Sequence, residues 1–474
     1  MALSQAEVDF ITKKVKDLAP TLEHNQKLFN IYEGLLLQYI EEDLKQQLSP
    51  ESYEVICTRI APINVLKRIV DKLSTIYAKP PKRTVVKGTE QDKELLSWYE
   101  QHMEINANMN IANELFNLHK TSTLEPYAYQ GFPKLRAVPS DRSVMISTDK
   151  IDPTRPTIWV KLMGKQTVGV EQKEILYIYT ADSFTVATLE GEILQSPPEN
   201  PNGENPLGEL PAVWVNKSFH SVVPPIDTDI LRMTKIIPIL LSDLNYAVMF
   251  QSFSIMYGID VDTQNLRMAP NAFWNFKSDA TSDKTPSVGV IKANVDIDQV
   301  IGFIEAQLVF WLNSKSIRPG TVGGLTSQNL SSGISKIIDE MDTAEDRQKQ
   351  VHYFVKAEGE MWNLITKRYH SYWMERGLLN TNLEFSPNCE IKVEFQEQLP
   401  LVRRTELLND VIRELEKRLT TRKRAIKTLN PEMSEEEIDQ LMLEIEQESQ
   451  TNIEIPIEPT DEEQLDNEQE AVSV

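Results

Sequence analysis

The stretch Ile297-Asp-Gln-Val-Ile-Gly-Phe-Ile-Glu-Ala-Gln-Leu-Val-Phe-Trp311 decides the fold more than any other part of the chain. Its regularly placed apolar residues lie four, three, four and three positions apart: Ile297, Ile301, Ile304, Leu308 and Trp311. This spacing puts them on one face of an α-helix. The sequence therefore predicts a helix over 297–317 that buries one apolar face.

A second apolar helix is predicted upstream, over 226–257. Its stripe recurs at i, i+4, i+7 and i+11: Ile237, Leu241, Leu244 and Val248. The turn-rich insert 258–296 separates the two helices and contains two candidate strands, Phe273-Trp274-Asn-Phe276 and Val288-Gly-Val-Ile291. One subunit has too little apolar surface to bury both stripes, so we expect self-association through them.

A loop rich in Gly, Ser and Thr follows, over 318–333. Its glycines permit many backbone conformations. Its neutral polar residues can make exchangeable hydrogen bonds: Thr326, Ser327, Gln328 and Asn329. Cations flank it on both sides: Lys315, Arg318 and Lys336. A loop of this length between two strong helices is more typical of a functional segment than of a linker.

The remainder of the chain alternates between helical and β-rich regions. Ser4 is predicted to cap a helix through Leu18, and further helices are expected over 22–44, over 51–76 with a kink at Pro62, and over 91–119. Residues 126–216 predict strands, with a hairpin turn at Ala181-Asp182-Ser183.

The C-terminal part returns mostly to helix. The longest helical pattern covers 334–376, and a strand with alternating residues covers 390–395. Helices are expected over 401–450, divided near Asn430-Pro431. Residues 451–474 carry no Lys or Arg and predict a disordered acidic tail. The fold class that follows is α+β, mostly helical.

The composition limits the possible partners. Lys and Arg number 49 and Asp and Glu 71, a formal net charge of −22 in 474 residues. Nucleic-acid-binding proteins usually show a basic face, so here such a face must be local. The two cysteines, Cys57 and Cys389, are isolated, which fits folding in a reducing cytoplasm. We expect neither a signal peptide nor a membrane span, because no apolar stretch is long enough.

Catalytic and metal-binding motifs are missing from the sequence. There is no phosphate-binding loop, nucleotide-binding glycine motif, nucleophile elbow or zinc-protease motif, and the six histidines are scattered. Asp260/Asp262 and Asp296/Asp298 have spacings that suit a divalent cation, but a turn and a helix cap explain them better. We therefore expect no enzyme activity, no cofactor and no metal.

The most basic segment of the chain leaves two interpretations open. Its cations are Lys417, Arg418, Arg422, Lys423, Arg424 and Lys427. They could contact phosphates. The adjacent acidic segment 435–448 favours the second interpretation, a contact between subunits through opposite charges.

Two stretches give the chain a family resemblance. The first is Asn205-Pro-Leu-Gly-Glu-Leu-Pro-Ala-Val-Trp-Val-Asn216, followed by a helix that contains Leu241-Ser-Asp-Leu-Asn-Tyr-Ala-Val-Met-Phe-Gln251. The second is Glu394-Phe-Gln-Glu-Gln-Leu-Pro400, followed by a helix and by Asn430-Pro-Glu-Met-Ser-Glu-Glu-Glu437. In both, the order of elements resembles that of the portal proteins, or head-to-tail connectors, of tailed double-stranded DNA bacteriophages. The family's crown carries a turn with a glycine where this chain has Arg418-Leu-Thr-Thr421.

The resemblance implies a homo-oligomeric, generally dodecameric ring with regions called wing, stem, clip and crown. Each region would correspond to part of this chain: the wing to 1–225 and 334–400, the two stem helices to 226–257 and 297–317, the clip to 258–296, the tunnel loop to 318–333, and the crown to 401–450. The acidic tail, 451–474, would follow the crown.

The resemblance also implies a function and a set of partners. The ring would occupy one capsid vertex of a virion assembled in the host cytoplasm. Double-stranded DNA would pass through it during packaging and ejection. A terminase motor, head-completion or adaptor proteins, tail proteins, and the major capsid or scaffolding protein would dock on it.

Three sets of site residues follow from these regions. The channel would be lined by the tunnel loop and its rims, Lys315, Arg318, Thr326, Ser327, Gln328, Asn329 and Lys336. The clip would meet an adaptor or form a small local core through Phe273, Trp274 and Phe276. The stem would pack through Leu241, Leu244, Val248, Ile301, Ile304, Leu308 and Trp311.

Two other functions stay open at this point. The chain could be a different virion or scaffolding protein built from a helical bundle and a β module. It could also be an enzyme whose site has no sequence motif, because catalytic groups are assembled in space rather than in sequence.

Overall fold

A computed structural model describes residues 3–58, 60–198, 200–218, 220–252, 255–259, 287–291, 297–315, 333–395, 401–430, 433 and 435–451. The chain divides into two compact units, 1–395 and 396–474. The predicted α+β class is confirmed, since long helices and antiparallel sheets occupy separate stretches of the chain.

Helices dominate the N-terminal region. Their bounds are α1 Gln5–Asp17, α2 Ala19–Asn30, α3 Leu36–Gln47, α4 Pro50–Cys57, α5 Val65–Leu73, α6 Glu90–His102 and α7 Ile105–His119. The predicted cap of α1 is confirmed. Ser4 Oγ accepts the amide of Glu7, and the Glu7 carboxylate accepts the amide of Ser4 at 2.9 Å, forming a capping box.

Three predicted helices are each interrupted. The predicted helix 22–44 breaks between α2 and α3 at Gly34, whose φ of +106° is incompatible with a helix. The predicted helix 51–76 is two helices rather than one kinked helix, because Pro62 lies in the non-helical stretch between α4 and α5. The predicted helix 91–119 breaks at Glu104, which adopts a φ of +50°.

The β-rich region contains two antiparallel sheets. Its strands are β2 Thr121–Tyr129, β3 Phe132–Val138, β4 Ser143–Ile146, β5 Ile158–Val168, β6 Glu171–Tyr179, β7 Phe184–Thr188 and β8 Val213–Asn216. Strands β3-β2-β8 form one sheet and β4-β5-β6-β7 the other. The predicted turn at 181–183 is confirmed, since the Thr180 amide donates to the Ser183 carbonyl at 2.9 Å.

A short strand that the sequence did not predict precedes this region. This strand, β1, covers Lys82–Lys87. It pairs antiparallel with a strand near the end of the first unit, Glu390–Glu394, which was predicted. The pairing joins the N-terminal helices to the end of the long helical segment.

The central region has the predicted order of helix, strand pair and helix. It consists of α8 Thr228–Ser252, β9 Ile255–Ile259, β10 Ser287–Ile291 and α9 Ile297–Ser314. The predicted bound of the first helix, 257, is wrong. The chain leaves the helix after Ser252 because Ile255-Met-Tyr-Gly-Ile259 pairs antiparallel with β10.

The predicted long helix is confirmed in extent. It consists of α10 Gly333–Leu364, a π-helical turn Ile365–Tyr369 and α11 His370–Glu375, and Gly377 follows with a φ of +64°. Gly333, assigned to the tunnel loop, begins this helix instead. The strand 390–394 named above is β11.

The three largest apolar clusters among the described residues join the elements of the first unit. The largest joins α6, α7, α10 and α11 to strands β2, β8 and β11. The second joins α2, α3 and α5 to α9 and the start of α8. The third packs α1 on the sheet β4-β5-β6-β7. No helix among the described residues is both long and apolar enough to cross a membrane.

A buried polar network crosses the largest cluster. The guanidinium Nε of Arg83 on β1 donates to the carboxylate of Glu358 on α10, and both side chains are almost fully buried. Tyr77 donates its hydroxyl to the same carboxylate at 2.7 Å, and Arg83 also donates to Asn106 at 2.8 Å. The network fixes α10 against elements more than 270 residues earlier in the chain.

The second unit is a small set of helices. They are α12 Leu401–Glu416, α13 Arg422–Leu429 and α14 Glu435–Thr451, so the predicted division near Asn430 is confirmed. Arg418 follows α12 with a φ of +58°, and the amide of Leu419 donates to the carbonyl of Glu414 at 2.8 Å. A helix end of this geometry favours glycine, which this chain lacks here.

Breaking the buried ion pair should destabilise the first unit strongly. We expect Glu358→Gln to lower the free energy of unfolding by about 3–5 kcal/mol, because Arg83 would stay buried with only the partly exposed Glu100, 3.2 Å away, as a counter-charge. The measurement is chemical denaturation followed by circular dichroism.

Glu360→Gln is the matched control, two residues along the same helix and paired only loosely with Lys356, at 3.9 Å. We expect it to change stability much less than Glu358→Gln. Equal effects of the two substitutions would show that the ion pair does not hold α10 in place.

Candidate functional site

The two central helices pack on each other and on the second apolar cluster. Of the predicted stem residues, Ile304, Leu308 and Trp311 on α9 are each 6% exposed. Leu241 and Leu244 on α8 are half-buried and pack against the same cluster. The inward face of the stem helices is therefore already covered within one subunit by α2, α3 and α5.

The other two predicted stem residues point outward. Ile301 and Val248 are each 38% exposed. Both belong to the stripes that were expected to pack between copies because one subunit cannot bury them, and that packing stays a prediction. The α9 helix carries apolar residues on more than one side.

The outward face of α9 carries two aromatic residues that sequence reasoning did not single out. Phe303 is 56% exposed and Phe310 75% exposed. Seven positions apart, they lie on the same side of the helix, and the exposed small residue Ala306 lies between them. This surface, called here the α9 outer face, is apolar and open to solvent in one subunit.

The end of α9 is fixed by a cluster of opposite charges. Lys315 Nζ lies 3.1 Å from Asp227 Oδ2 and 2.8 Å from Asp229 Oδ2. Lys120 Nζ, at the end of α7, lies 3.3 Å from Asp227. Two lysines and two aspartates make this cluster, called here the Asp227 cluster, electrically neutral.

The Asp227 carboxylate is ionised within this cluster. Partial burial raises the pKa of Asp227, but the ammonium groups of Lys315 and Lys120 outweigh it and hold the pKa below its usual value. Lys315, predicted as a cation at the rim of the channel, therefore has its charge balanced by aspartates at the start of α8. Whether it also faces a channel stays a prediction.

A small cavity lies beside the cluster, between α2, the end of α7 and the start of α8. Its walls include His24, His119, Ser140 and Asp227. The Nε2 atom of His24 and the Nδ1 atom of His119 are buried without a hydrogen-bond partner. His119 Nε2 contacts the carbonyl of Asn25 at 3.1 Å. Burial lowers the pKa of both imidazoles, that of His119 to about 4, so both are neutral at pH 7.

The predicted clip and tunnel-loop residues cannot be placed in the same way. Most lie outside the described residues: Phe273, Trp274, Phe276, Arg318, Thr326, Ser327, Gln328 and Asn329. Lys336 lies in the first turn of α10. Of the clip, the structure describes the strand pair β9–β10, whose register joins Tyr257 to Gly289.

The basic segment of the second unit contacts the acidic helix that follows it. Lys423 Nζ on α13 lies 2.5 Å from Asp439 Oδ1 on α14, and Lys427 donates to the carbonyl of Met433 at 3.2 Å. A contact of opposite charges thus forms within one chain, since α14 follows α13 closely in sequence. The expected contact between subunits stays a prediction.

Among the residues that the structure describes, no three or more His, Cys, Asp or Glu side chains come together as a metal site. Cys57 and Cys389 are both free thiols. The Asp227 cluster and the α9 outer face are thus the features of the central region that lend themselves to a function.

Acid should destabilise the first unit through His119. Its pKa is about 4 when folded, against 6.5 for a solvated imidazole, so between these values the unfolded chain binds more protons. This contribution to stability is complete above pH 6.5 and is lost as the pH falls toward 4. This lowering of the His119 pKa corresponds to about 3 kcal/mol in the free energy of unfolding.

We expect His119→Gln to remove most of that pH dependence. The measurement is the free energy of unfolding of the unchanged chain and of His119→Gln at pH 7 and at pH 4.5. For each protein the value at pH 4.5 is subtracted from the value at pH 7, and the two differences are compared. An unchanged difference in His119→Gln would contradict a buried neutral imidazole at this position.

No family model and no curated protein matches this chain. Solved structures to which this chain is similar include one described as the virion of a native gene transfer agent particle. It is 12% identical, covers 77% of this chain and 89% of that chain, and has a TM-score of 0.35. Another, the neck of an empty gene transfer agent particle computed with C6 symmetry, is 11% identical with the same coverage and a TM-score of 0.34. At these TM-scores neither likeness supports a conclusion about function.

Proposed function

We propose that this chain is a portal subunit of a tailed-phage-like virion. Copies of it form a closed ring at one capsid vertex, through which double-stranded DNA enters and leaves. The subunit itself catalyses no reaction. A separate terminase motor supplies the packaging force, and adaptor and tail proteins dock on the clip.

The observation that carries the proposal is the α9 outer face beside the pair α8–α9. A helix, an antiparallel strand pair and a second helix follow one another in the chain, and the inner side of the two helices packs within the subunit. Its outer side leaves Phe303 and Phe310 in water. Full burial of one such side chain stabilises an interface by about 1.5–3 kcal/mol.

In a ring, the free energy gained by burying these side chains recurs at every interface between subunits. In a closed cyclic assembly each subunit uses one surface against the next subunit and a different surface against the previous one. The α9 outer face supplies one such surface. Exposed Ile236 and Val248 on the neighbouring helix α8 supply apolar surface for the other side.

The charge of the chain suits a conduit. Tight DNA binding needs cations that neutralise phosphates and release counterions. The net charge is −22, and within the Asp227 cluster the charges of Lys120 and Lys315 are balanced by Asp227 and Asp229. DNA can then slide past with weak contacts. The neutral polar residues Thr326 to Asn329 are the groups proposed to make those contacts in the tunnel loop.

Ring formation should depend on Phe310 more than on other exposed aromatics. We expect Phe310→Asp to convert rings into monomers or open fragments, because the substitution places a carboxylate in an apolar contact. The measurement is native mass spectrometry with negative-stain imaging. The unchanged chain should give closed rings with a hole of duplex width.

Phe10→Asp is the matched control, since Phe10 is also an exposed aromatic on a helix, 44% exposed on α1. Leu308→Asp should instead unfold the subunit, because Leu308 is buried inside it. Rings of normal size and stability from Phe310→Asp would exclude the α9 outer face as a ring contact.

The tunnel loop can be tested separately from assembly. We expect deletion of Gly323 to Ser327 to leave rings intact and to reduce genome packaging or retention, because the loop is proposed to contact DNA in the channel. Packaged DNA per particle is the measurement. Normal packaging and retention would show that residues 318–333 are a linker.

A further inference from the structure

The α9 outer face contains a place for one inserted side chain. Phe303, Ala306, Gln307 and Phe310 occupy positions i, i+3, i+4 and i+7 of α9, the four positions that surround a side chain when helices pack as knobs into holes. Phe303 and Phe310 are 56% and 75% exposed, and Ala306 is a small exposed residue between them. None of the four residues is charged, so this site, called here the α9 hole, suits an aliphatic side chain.

The exposed area of the α9 hole matches the centre of a protein interface. A buried aromatic side chain covers about 150–250 Å², so the exposed parts of Phe303 and Phe310 amount to roughly 200–330 Å². An interface of standard size buries about 800 Å² on each partner and is most apolar at its centre. The partner must therefore extend beyond the hole over neighbouring surface, as a second helix does.

The exposed aliphatic side chains of α8 have the chemistry that the hole requires. Ile236 is 39% exposed and Val248 38% exposed. Ile236 does not fill the hole of its own chain, because both Ile236 and Phe310 remain exposed there. Each chain thus carries a hole on one helix and a candidate knob on the other. Such head-to-tail contacts form between copies, and they close into a ring when the rotation allows it.

The register of the two helices decides which side chain of α8 is level with the hole. Lys315 Nζ, at the end of α9, lies 2.8 Å from Asp229 Oδ2, at the start of α8, so the packed helices run in opposite directions. At 1.5 Å per residue, the centre of the hole lies about 13 Å before Lys315. Ile236 lies about 10 Å beyond Asp229, and Val248 about 28 Å beyond it. Ile236 is therefore level with the hole, whereas Val248 is not.

A closed ring preserves this level from copy to copy. Its copies are related by rotation about one axis, and rotation changes no position along that axis. When the α8–α9 pairs stand side by side around the ring, a residue level with the hole of its own chain is also level with the hole of the next chain. Ile236 of one copy then faces Phe303 and Phe310 of its neighbour.

We propose that Ile236 of each copy inserts into the α9 hole of the adjacent copy, between Phe303 and Phe310. The inference rests on the proposed portal ring and assigns its central contact to one side chain and the four residues that receive it. The contact also sets the alignment of neighbouring helices, because a shift by one helical turn, about 5.4 Å, would move Ile236 out of the hole.

Cysteine trapping between two differently tagged full-length chains tests the inference. One chain carries Ile236→Cys and the other Ala306→Cys, both in a Cys57→Ser background, and the two are co-expressed. Only a disulfide between copies joins the two tags. A side chain held in the hole raises the effective concentration of its thiol, so we expect about tenfold more cross-link than from an unheld thiol.

Val248→Cys replaces Ile236→Cys as the matched control. The two residues lie on the same helix and are 38% and 39% exposed. Val248 is about 15 Å from the level of the hole, too far for a disulfide with Ala306→Cys.

A pair of opposite charges tests the same contact without cysteine. Ile236→Lys alone and Ala306→Glu alone should each reduce the fraction of chains in rings, because each places a charge in an apolar contact. The double variant should restore rings, since the lysine of one copy then meets the glutamate of the next. Neither residue is buried in the subunit, and circular dichroism checks that each variant is folded.

Negative-stain imaging of the same samples separates this inference from the portal ring itself. Rings that form with cross-linking no stronger than from Val248→Cys would overturn the inference alone. The same holds for rings that Ile236→Lys leaves unchanged, or that the double variant does not restore. Absence of rings from the unchanged chain would overturn both the inference and the proposed function.

Discussion

The buried ion pair between Arg83 and Glu358 is the constraint on which the first unit depends. Two charges are expensive to remove from water, and such a pair survives only with good geometry and further hydrogen bonds. Tyr77, Asn106 and Trp362 supply these bonds. Because the partners lie 275 residues apart, the network requires the long helix α10 to lie in one place against β1. The pairing of β1 with β11, and the packing of α6 and α7 in the largest apolar cluster, also depend on that position of α10.

Local chemistry explains why much of the fold was predictable. The cap at Ser4, the helical spacing in α8 and α9, and the stop at Gly377 all act within a few residues. Strand β1 was missed for the opposite reason. Its sequence, Lys-Arg-Thr-Val-Val-Lys, has a partner about 300 residues away, and no local pattern reveals that pairing. The break at Glu104 was missed likewise, since a left-handed residue without glycine leaves no sequence signal.

The candidate site was predictable in outline and not in detail. Spacing placed Ile304 and Leu308 on one face, and in the subunit they lie against an apolar cluster built by other helices. It did not indicate that Ile301, Phe303 and Phe310 face solvent in one subunit, because α9 is apolar on several sides. Periodicity shows which residues share a face but not which face the rest of the subunit covers. The charge on Lys315 was visible in the sequence, whereas its partner Asp227 lies 88 residues earlier.

Neutralisation of Lys315 changes how the end of α9 contributes to a conduit. A cation held by Asp227 and Asp229 cannot grip a phosphate without losing those partners. It can instead fix the point at which the following loop leaves the helix. The next helix is fixed as well, since Arg347 on α10 donates to the carbonyls of Thr75 and Ile76. In the proposed portal, these two anchored helix ends form the rigid part of the stem, and contact with the duplex is assigned to the residues between them.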